Sequence, residues 1–472
     1  MFARIGMLSL ALSCITNGLD LDVNSQDSIK STAKKLASGI VSAYKANLSD
    51  IGIPGIFVDY REPDLSYSET YDFTSGVEFW KAGAVFGGLV EYSYLTGDTQ
   101  YDALVSEGMQ WQSGEGRNFM PVNQSEVLFS TAHSAWGLAA MTAAEMGFSK
   151  PKNGDWIDYA KNVFDIQASR FEEEDRDGTC GGGLPLWRDP FTIKDMGSNG
   201  NLFLLAARLA RFTGNQTYAA WADKTFSWAK DVRLIVDVDE KKSFPTDYRV
   251  YTSLQLGCVA ENWSHQSSDH GAVTEGAAIM YNITGAQNWT EAMVSLVRGS
   301  SAVQIDNILV EDKCVNACRP ISRFQKGIAA RSFARAVLFA PCATQTLRTM
   351  LEASAKGAAS ACEGTDDIRC EFTWLDGGAE WNSLSATASD GNLAELFNSL
   401  EAVQGLLYPL AKGLRNVNGT ITGGHCSGDP TQNKDVSSTS DAGTPEKTGT
   451  ASTVAASITA ALAVAFAAAL SF

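Results

Sequence analysis

Residues 201–215 read Asn201-Leu-Phe-Leu-Leu-Ala-Ala-Arg-Leu-Ala-Arg-Phe-Thr-Gly-Asn215, and soon after come Tyr218-Ala-Ala-Trp-Ala-Asp-Lys-Thr-Phe-Ser-Trp228. The first stretch is apolar on nearly every side of a 3.6-residue period, the pattern of a helix buried all round. Gly214 ends it, because glycine reaches the left-handed conformation that closes a helix. The second stretch is amphipathic and predicts a helix lying outside the first. Tyr218 is placed to pack on its first turn.

The same device recurs along the chain. Tyr94-Leu-Thr-Gly97-Asp98 precedes Tyr101, and Ile283-Thr-Gly285-Ala286 precedes Trp289. Gly147 after Met146, with Trp156 beyond, is a looser copy. These glycines stand roughly 50 to 70 residues apart, room for two helices and a loop. The segments before the stops are small and apolar, as in Ala82-Gly-Ala-Val-Phe-Gly-Gly-Leu-Val90 and Trp136-Gly-Leu-Ala-Ala-Met-Thr-Ala-Ala144. Ile29, Ala33, Leu36, Ile40, Val41 and Tyr44 mark one face of another helix. Residues 22–412 hold about six such pairs. The predicted fold is all-α, an (α/α)6 toroid of six helical hairpins. An open superhelix is the rival, but its units are usually shorter and more regular.

Composition narrows the function. The 472 residues carry 37 Lys+Arg against 54 Asp+Glu, a net charge of −17. Such a surface repels phosphate backbones, so nucleic acid is not an expected partner. Four histidines argue against a His-rich metal site, and no phosphate loop of Walker or Rossmann spacing occurs, so no cofactor is expected. Cys314-x-x-x-Cys318 mimics half a zinc site, but no second pair completes it.

The two ends read as addresses. Arg4 followed by apolar residues 5–15 and Thr16-Asn17-Gly18 predicts a signal peptide over 1–18. Residues 427–453 form a Ser/Thr/Gly-rich linker, and 454–472 an uncharged apolar tail. Small residues, a polar spacer and a terminal apolar tail predict a GPI-attachment signal. The site falls among Ser440, Ala442 and Gly443, with Gly443 preferred. The folded domain is then 19–426, held by a lipid on the outer face of the plasma membrane. Eight cysteines remain after the signal: Cys180, Cys258, Cys314, Cys318, Cys342, Cys362, Cys370 and Cys426. Their even number suits disulfides, with 105 possible pairings. Sequons for N-glycosylation stand at Asn47, Asn123, Asn215, Asn262, Asn282, Asn288 and Asn418.

Loops entering the inner helices are the expected seat of any chemistry. They hold Trp80-Lys81, Ser130-Thr-Ala-His133, Cys180-Gly-Gly-Gly183 with Trp187, Lys194, Asn199-Gly200, Asp269-His270 and Arg323-Phe-Gln325. Aromatic faces there would stack on sugar rings.

Over roughly residues 20–412 the chain resembles fungal members of glycoside hydrolase family 76. The resemblance rests on Phe79-Trp-Lys-Ala-Gly83-Ala-Val-Phe-Gly, Asn118-Phe-Met-Pro-Val-Asn-Gln-Ser125, Trp136-Gly-Leu-Ala-Ala-Met-Thr-Ala-Ala-Glu145 and Cys180-Gly-Gly-Gly183. It continues through Asn199-Gly200, the 201–215 stretch, and Leu400-Glu-Ala-Val-Gln-Gly-Leu-Leu407. It implies an (α/α)6 barrel and mannan endo-1,6-α-mannosidase activity in cell-wall biogenesis. Retaining cleavage needs one carboxylate as nucleophile and another as acid and base. The family's adjacent aspartates fall on Thr131 and Ala132, and its glutamine on His133. Neither Thr131 nor Ala132 supplies a carboxylate, and loss of such a unit costs roughly 10⁴ to 10⁶ in rate. Relatives carry Trp-Ser-Tyr-Asn-x-Gly where this chain has Gln266-Ser-Ser-Asp-His-Gly271. The family's Arg-Trp pair after the glycine-rich loop stands here as Pro185-Leu-Trp187.

The expectation is a monomeric cell-surface protein that binds α-1,6-mannan or GPI-glycan and hydrolyses it little. Trp80, His133, Trp187, Lys194, Asn199 and His270 would contact the sugar, and a GPI lipid would hold the membrane. The alternatives are an active mannosidase or transglycosidase using Glu126 and Asp269, and a structural wall protein.

Overall fold

The computed structural model describes residues 18–57, 79–172, 180–186, 194–238, 247–251, 253–254, 260–261, 265–311, 314, 320–341, 344–375, 392–411, 413–418 and 421–422. Trp187, Asn262, the tail with Gly443 and all but the last residue of the expected signal lie outside them, as do the side chains of Asn47, Asn123 and Glu126. The described residues all belong to one unit, Met1–Ser427.

Twelve α-helices occur among the described residues. They are α1 (Gln26–Ile51), α2 (Phe79–Thr96), α3 (Asp102–Trp111), α4 (Ser130–Met146), α5 (Trp156–Glu172) and α6 (Met196–Thr213), followed by α7 (Gln216–Asp231), α8 (Ser267–Thr284), α9 (Gln287–Gly299), α10 (Gln325–Phe339), α11 (Gln345–Ser360) and α12 (Leu393–Gly405). The even-numbered helices pack each on the next, and α12 returns to α2. That closes a ring of six. The odd-numbered helices pack around it, so the fold is the (α/α)6 toroid. One detail departs from sequential hairpins. α1 packs on α12, so the sixth pair joins the two ends of the domain.

The inner ring is tight because its helices carry small residues where backbones meet. A Cβ on Gly83 of α2 would lie 3.0 Å from the backbone nitrogen of Trp136 in α4. One on Gly276 of α8 would lie 2.4 Å from the Phe203 ring of α6.

The expected stops have one geometry. Gly97, Gly147, Gly214 and Gly285 all have positive φ, between 61° and 79°. The threonine before three of them has a second task. Thr96, Thr213 and Thr284 each donate from the hydroxyl to the carbonyl four residues back, at 2.6, 2.7 and 2.6 Å. Each hydroxyl then accepts the N–H two residues on, at 3.1, 3.1 and 3.2 Å. The stop thus satisfies backbone groups that a helix end leaves open. The aromatic after it packs sideways. Trp289 stacks on Phe203 and meets Phe226, linking α9 to α6 and α7.

A belt of buried charge crosses the ring. Arg335 of α10 binds Glu91 of α2 at 3.3 Å, Glu275 of α8 at 2.7 Å, and Glu145 of α4. Arg208 and Arg211 of α6 also reach Glu145, at 2.7 and 3.5 Å. Arg331 of α10 binds Glu401 of α12 at 2.6 Å. Every inner helix contributes. Burial alone would raise the Glu145 pKa, but Arg208, Arg335 and Arg211 outweigh it and hold the carboxyl at about 2.

Elsewhere Cys362 and Cys370 form a disulfide across a short hairpin. Cys180 and Cys314 are also disulfide-bonded, which removes the half-zinc reading of Cys314. Among the described residues no helix is long and apolar enough to cross a membrane.

Candidate functional site

The inner helices all start at one end of the barrel, and the described residues Trp80, His133, Lys194, Asn199, Asp269 and His270 stand at or beside those starts. Gly197, in the first turn of α6, marks the centre. A Cβ placed on it would lie 2.9 Å from Thr131 Cγ2, 3.3 Å from Asp195 Oδ2 and 3.6 Å from Asp269 Oδ1. Three helix starts therefore meet at one point. Thr131 comes from α4, Asp195 caps α6, and Asp269 sits in the first turn of α8. Helix N-termini carry partial positive charge and favour anionic side chains.

Asp195 was not among the expected residues. Its Oδ1 accepts the N–H of Ser198 at 3.0 Å, an ordinary N-cap. Its Oδ2 is left facing Gly197. Burial pushes its pKa up, opposed by the bonds from Ser198. The signal was present in Lys194-Asp-Met-Gly-Ser198, an aspartate just before an apolar helix. Asp269 is 3 % exposed. Thr131 is partly exposed, whereas Ala132 is fully buried.

The glycine-rich loop is sewn to this centre. Gly181, Gly182 and Gly183 have φ of 60°, 115° and 98°, which side chains rarely adopt. A Cβ on Gly183 would also strike the Trp228 ring at 2.1 Å. Asn199 holds the next residue by both ends. Its Oδ1 accepts from Leu184 N at 2.7 Å, and its Nδ2 donates to Leu184 O at 2.9 Å and Asp195 O at 2.8 Å. Lys194 Nζ donates to Gly182 O at 2.5 Å. Ser130 ties the head of α4 to the same loop, its N–H to Leu186 O at 3.0 Å and its hydroxyl to Pro185 O at 2.6 Å.

Several residues expected at the sugar are therefore occupied with backbone. Asn199 and Lys194 hold the loop. His133 is 2 % exposed, and its Nε2 lies 2.6 Å from the Asn118 carbonyl. His270 is 1 % exposed, with Nε2 2.8 Å from the Leu296 carbonyl. A carbonyl only accepts, so each Nε2 carries the proton. Burial depresses both pKa values to about 4, against the help of those carbonyls. Trp80 is different. It is partly exposed and meets Phe324 edge-on at 5.7 Å, so part of the indole remains open. Glu126 lies in the 3-10 turn Val122–Val127 before α4. Among the described residues no cluster of three or more His, Cys, Asp or Glu is arranged to hold a metal.

Comparison with known proteins places this geometry. The chain is 31 % identical over 405 residues to mannan endo-1,6-alpha-mannosidase DFG5 of Candida albicans, covering 83 % of each chain. It is 28 % identical to mannan endo-1,6-alpha-mannosidase DCW1 of Saccharomyces cerevisiae, covering 84 % of this chain and 85 % of that protein. The crystal structure of Dfg5 from Chaetomium thermophilum in complex with glucosamine superposes with a TM-score of 0.71 at 30 % identity, covering 86 % of this chain and 96 % of that one. The sequence model of glycosyl hydrolase family 76 matches residues 28–417. The chain belongs to glycosyl hydrolase family 76.

Proposed function

We propose that this protein binds α-1,6-mannan, or the mannose-containing glycan of a GPI anchor, at the start of its inner helices, with little hydrolysis. The observation that carries the reading is the head of α4. Thr131 and Ala132 stand where the family resemblance expects two aspartates, and Ala132 is fully buried. A threonine hydroxyl is a weak nucleophile unless a base activates it, and a methyl group is none. The names of the similar proteins support mannan as the ligand class, and the partly open Trp80 supports sugar stacking. The terminal signals support a secreted chain held on the outer membrane face through Gly443; it acts in the wall, in this reading, as a monomer.

The test uses the unit ending at Ser427. Unbranched α-1,6-mannan is incubated with wild type and with a Thr131→Asp, Ala132→Asp double variant. Products and binding are read together. Binding without cleavage by wild type is expected, and cleavage by wild type would sink the reading.

A second reading has its own observation. Asp195 Oδ2 and Asp269 Oδ1 flank one point beside Thr131, and the raised pKa of Asp195 suits a general acid. Glycoside cleavage needs two carboxyl groups, not two particular positions. In that case wild type cleaves mannan, and Asp195→Asn or Asp269→Asn each abolish it. If Glu126 is the second carboxylate instead, Glu126→Gln does so.

A further inference from the structure

We propose that the end of the barrel opposite the site is a glycosylated face, carrying N-linked glycans at Asn215, Asn288 and Asn418, while Asn282 stays bare. This rests on the secreted reading above. The three asparagines come from distant parts of the sequence, and the fold brings them to one end. Asn215 follows α6, and Asn288 lies in the first turn of α9, just after α8 ends. Asn418 is brought there by its neighbours. Val417 N donates to Phe212 O in the last turn of α6 at 2.8 Å. Arg211 of α6 donates to Arg415 O at 3.0 Å. Tyr94 near the end of α2 donates to Gly413 O at 2.5 Å.

All three asparagines are exposed. Asn215 also has its amide sorted for the task. Its Oδ1 accepts Thr217 N at 2.9 Å, capping α7, so Nδ2 faces away from the helix. A sugar on that nitrogen leaves the cap intact. Asn282 differs on both counts. It is half-buried, and its Nδ2 donates to Phe339 O at the end of α10, at 3.3 Å. The two sequons on either side of the Gly285 stop thus differ in access. Glycans on this face would exclude protein partners from the far end of the barrel and leave the Gly197 centre uncovered by them.

The experiment expresses the full chain in a eukaryotic secretory host. Glycans are released enzymatically in ¹⁸O-water, which converts each occupied asparagine to a labelled aspartate read by peptide mass spectrometry. Label at Asn215, Asn288 and Asn418, and none at Asn282, is the expected result. Thr217→Ala should remove the label at Asn215 alone while keeping the Asn215 cap. Protease protection in microsomes and the Cys362–Cys370 disulfide report entry into the secretory pathway. A chain that enters, forms the disulfide and lacks label at the three sites overturns the glycosylated face alone. A chain that never enters overturns the secreted reading and this proposal with it. Label at Asn282 overturns the discrimination drawn from its bond to Phe339.

Discussion

Acidification from pH 7 to pH 5 should destabilise this protein through His133 and His270. Both rings are buried, donate to backbone carbonyls and have pKa values near 4 in the folded chain. In the unfolded chain the ordinary value is about 6.5. The folded state therefore binds fewer protons than the unfolded state. Stability from each ring is complete above about pH 6.5 and is lost as pH falls toward 4. At pH 5 the loss is about 2 kcal/mol for each ring relative to pH 7. Asp195 and Glu91 work the other way, since burial raises both and protonation favours their folded forms. A variant isolates one ring from this background. In His133→Gln, the new amide would keep a donor for the Asn118 carbonyl and would not titrate. Urea unfolding of wild type and His133→Gln at pH 7, 6 and 5 measures the difference. The variant should lose about 2 kcal/mol less than wild type across that interval. Equal losses in the two proteins would show that the His133 ring takes up its proton while folded, and the reasoning from burial would fail.

Arg335→Met should cost about 3–5 kcal/mol, because it leaves three buried carboxylates without their shared partner. Over roughly 400 residues at about 2.1 cal/mol/K each, that is a fall in Tm of about 4–6 °C by calorimetry. Two glycines test two different causes. Gly214→Ala meets nothing within 4 Å, so its cost of about 1–2 kcal/mol is backbone strain at φ 71°. Gly276→Ala meets the Phe203 ring, so its cost of about 1–3 kcal/mol is overpacking. Adding Phe203→Leu should recover stability in the second case and none in the first.

The helical stops were legible because their chemistry is local. Thr213 and Gly214 satisfy groups within four residues, so a reader needs only the neighbouring letters. The six-hairpin ring followed from repeating that unit, but pairing α1 with α12 did not, because it joins residues hundreds of positions apart. The charge belt was illegible for the same reason. Glu91, Glu145, Arg208 and Arg335 look like isolated charges in apolar helices until the ring closes. At the site, sequence position located Thr131, Asp269 and the glycine-rich loop correctly at one end. It misjudged direction. His133 and His270 stand near helix starts, where side chains are expected to be open, yet each points inward to a carbonyl on another segment. Asp195 was overlooked between Lys194 and Asn199 because a capping aspartate is the commonplace reading of that pattern.

The head of α4 is fixed by bonds that do not involve positions 131 and 132. The head of α4 is held by Ser130 on the loop, by His133 on Asn118, and by Trp136, whose Nε1 donates to Phe79 O at 3.0 Å. None of these bonds passes through Thr131 or Ala132. The barrel is held further along its axis by the charge belt, which draws on all six inner helices. Neither position therefore supplies a hydrogen bond that holds the loop to the head of α4, although Ala132 is fully packed. Two adjacent carboxylates in a packed helix start would carry a desolvation cost and a like-charge repulsion that Thr131 and Ala132 do not. The carboxyl groups of Asp195 and Asp269 stand at the starts of α6 and α8, where helix N-termini favour acidic side chains. The carboxyl groups at this convergence come from α6 and α8 and none from Thr131 or Ala132, so carboxylate chemistry at the Gly197 point would run through Asp195 and Asp269.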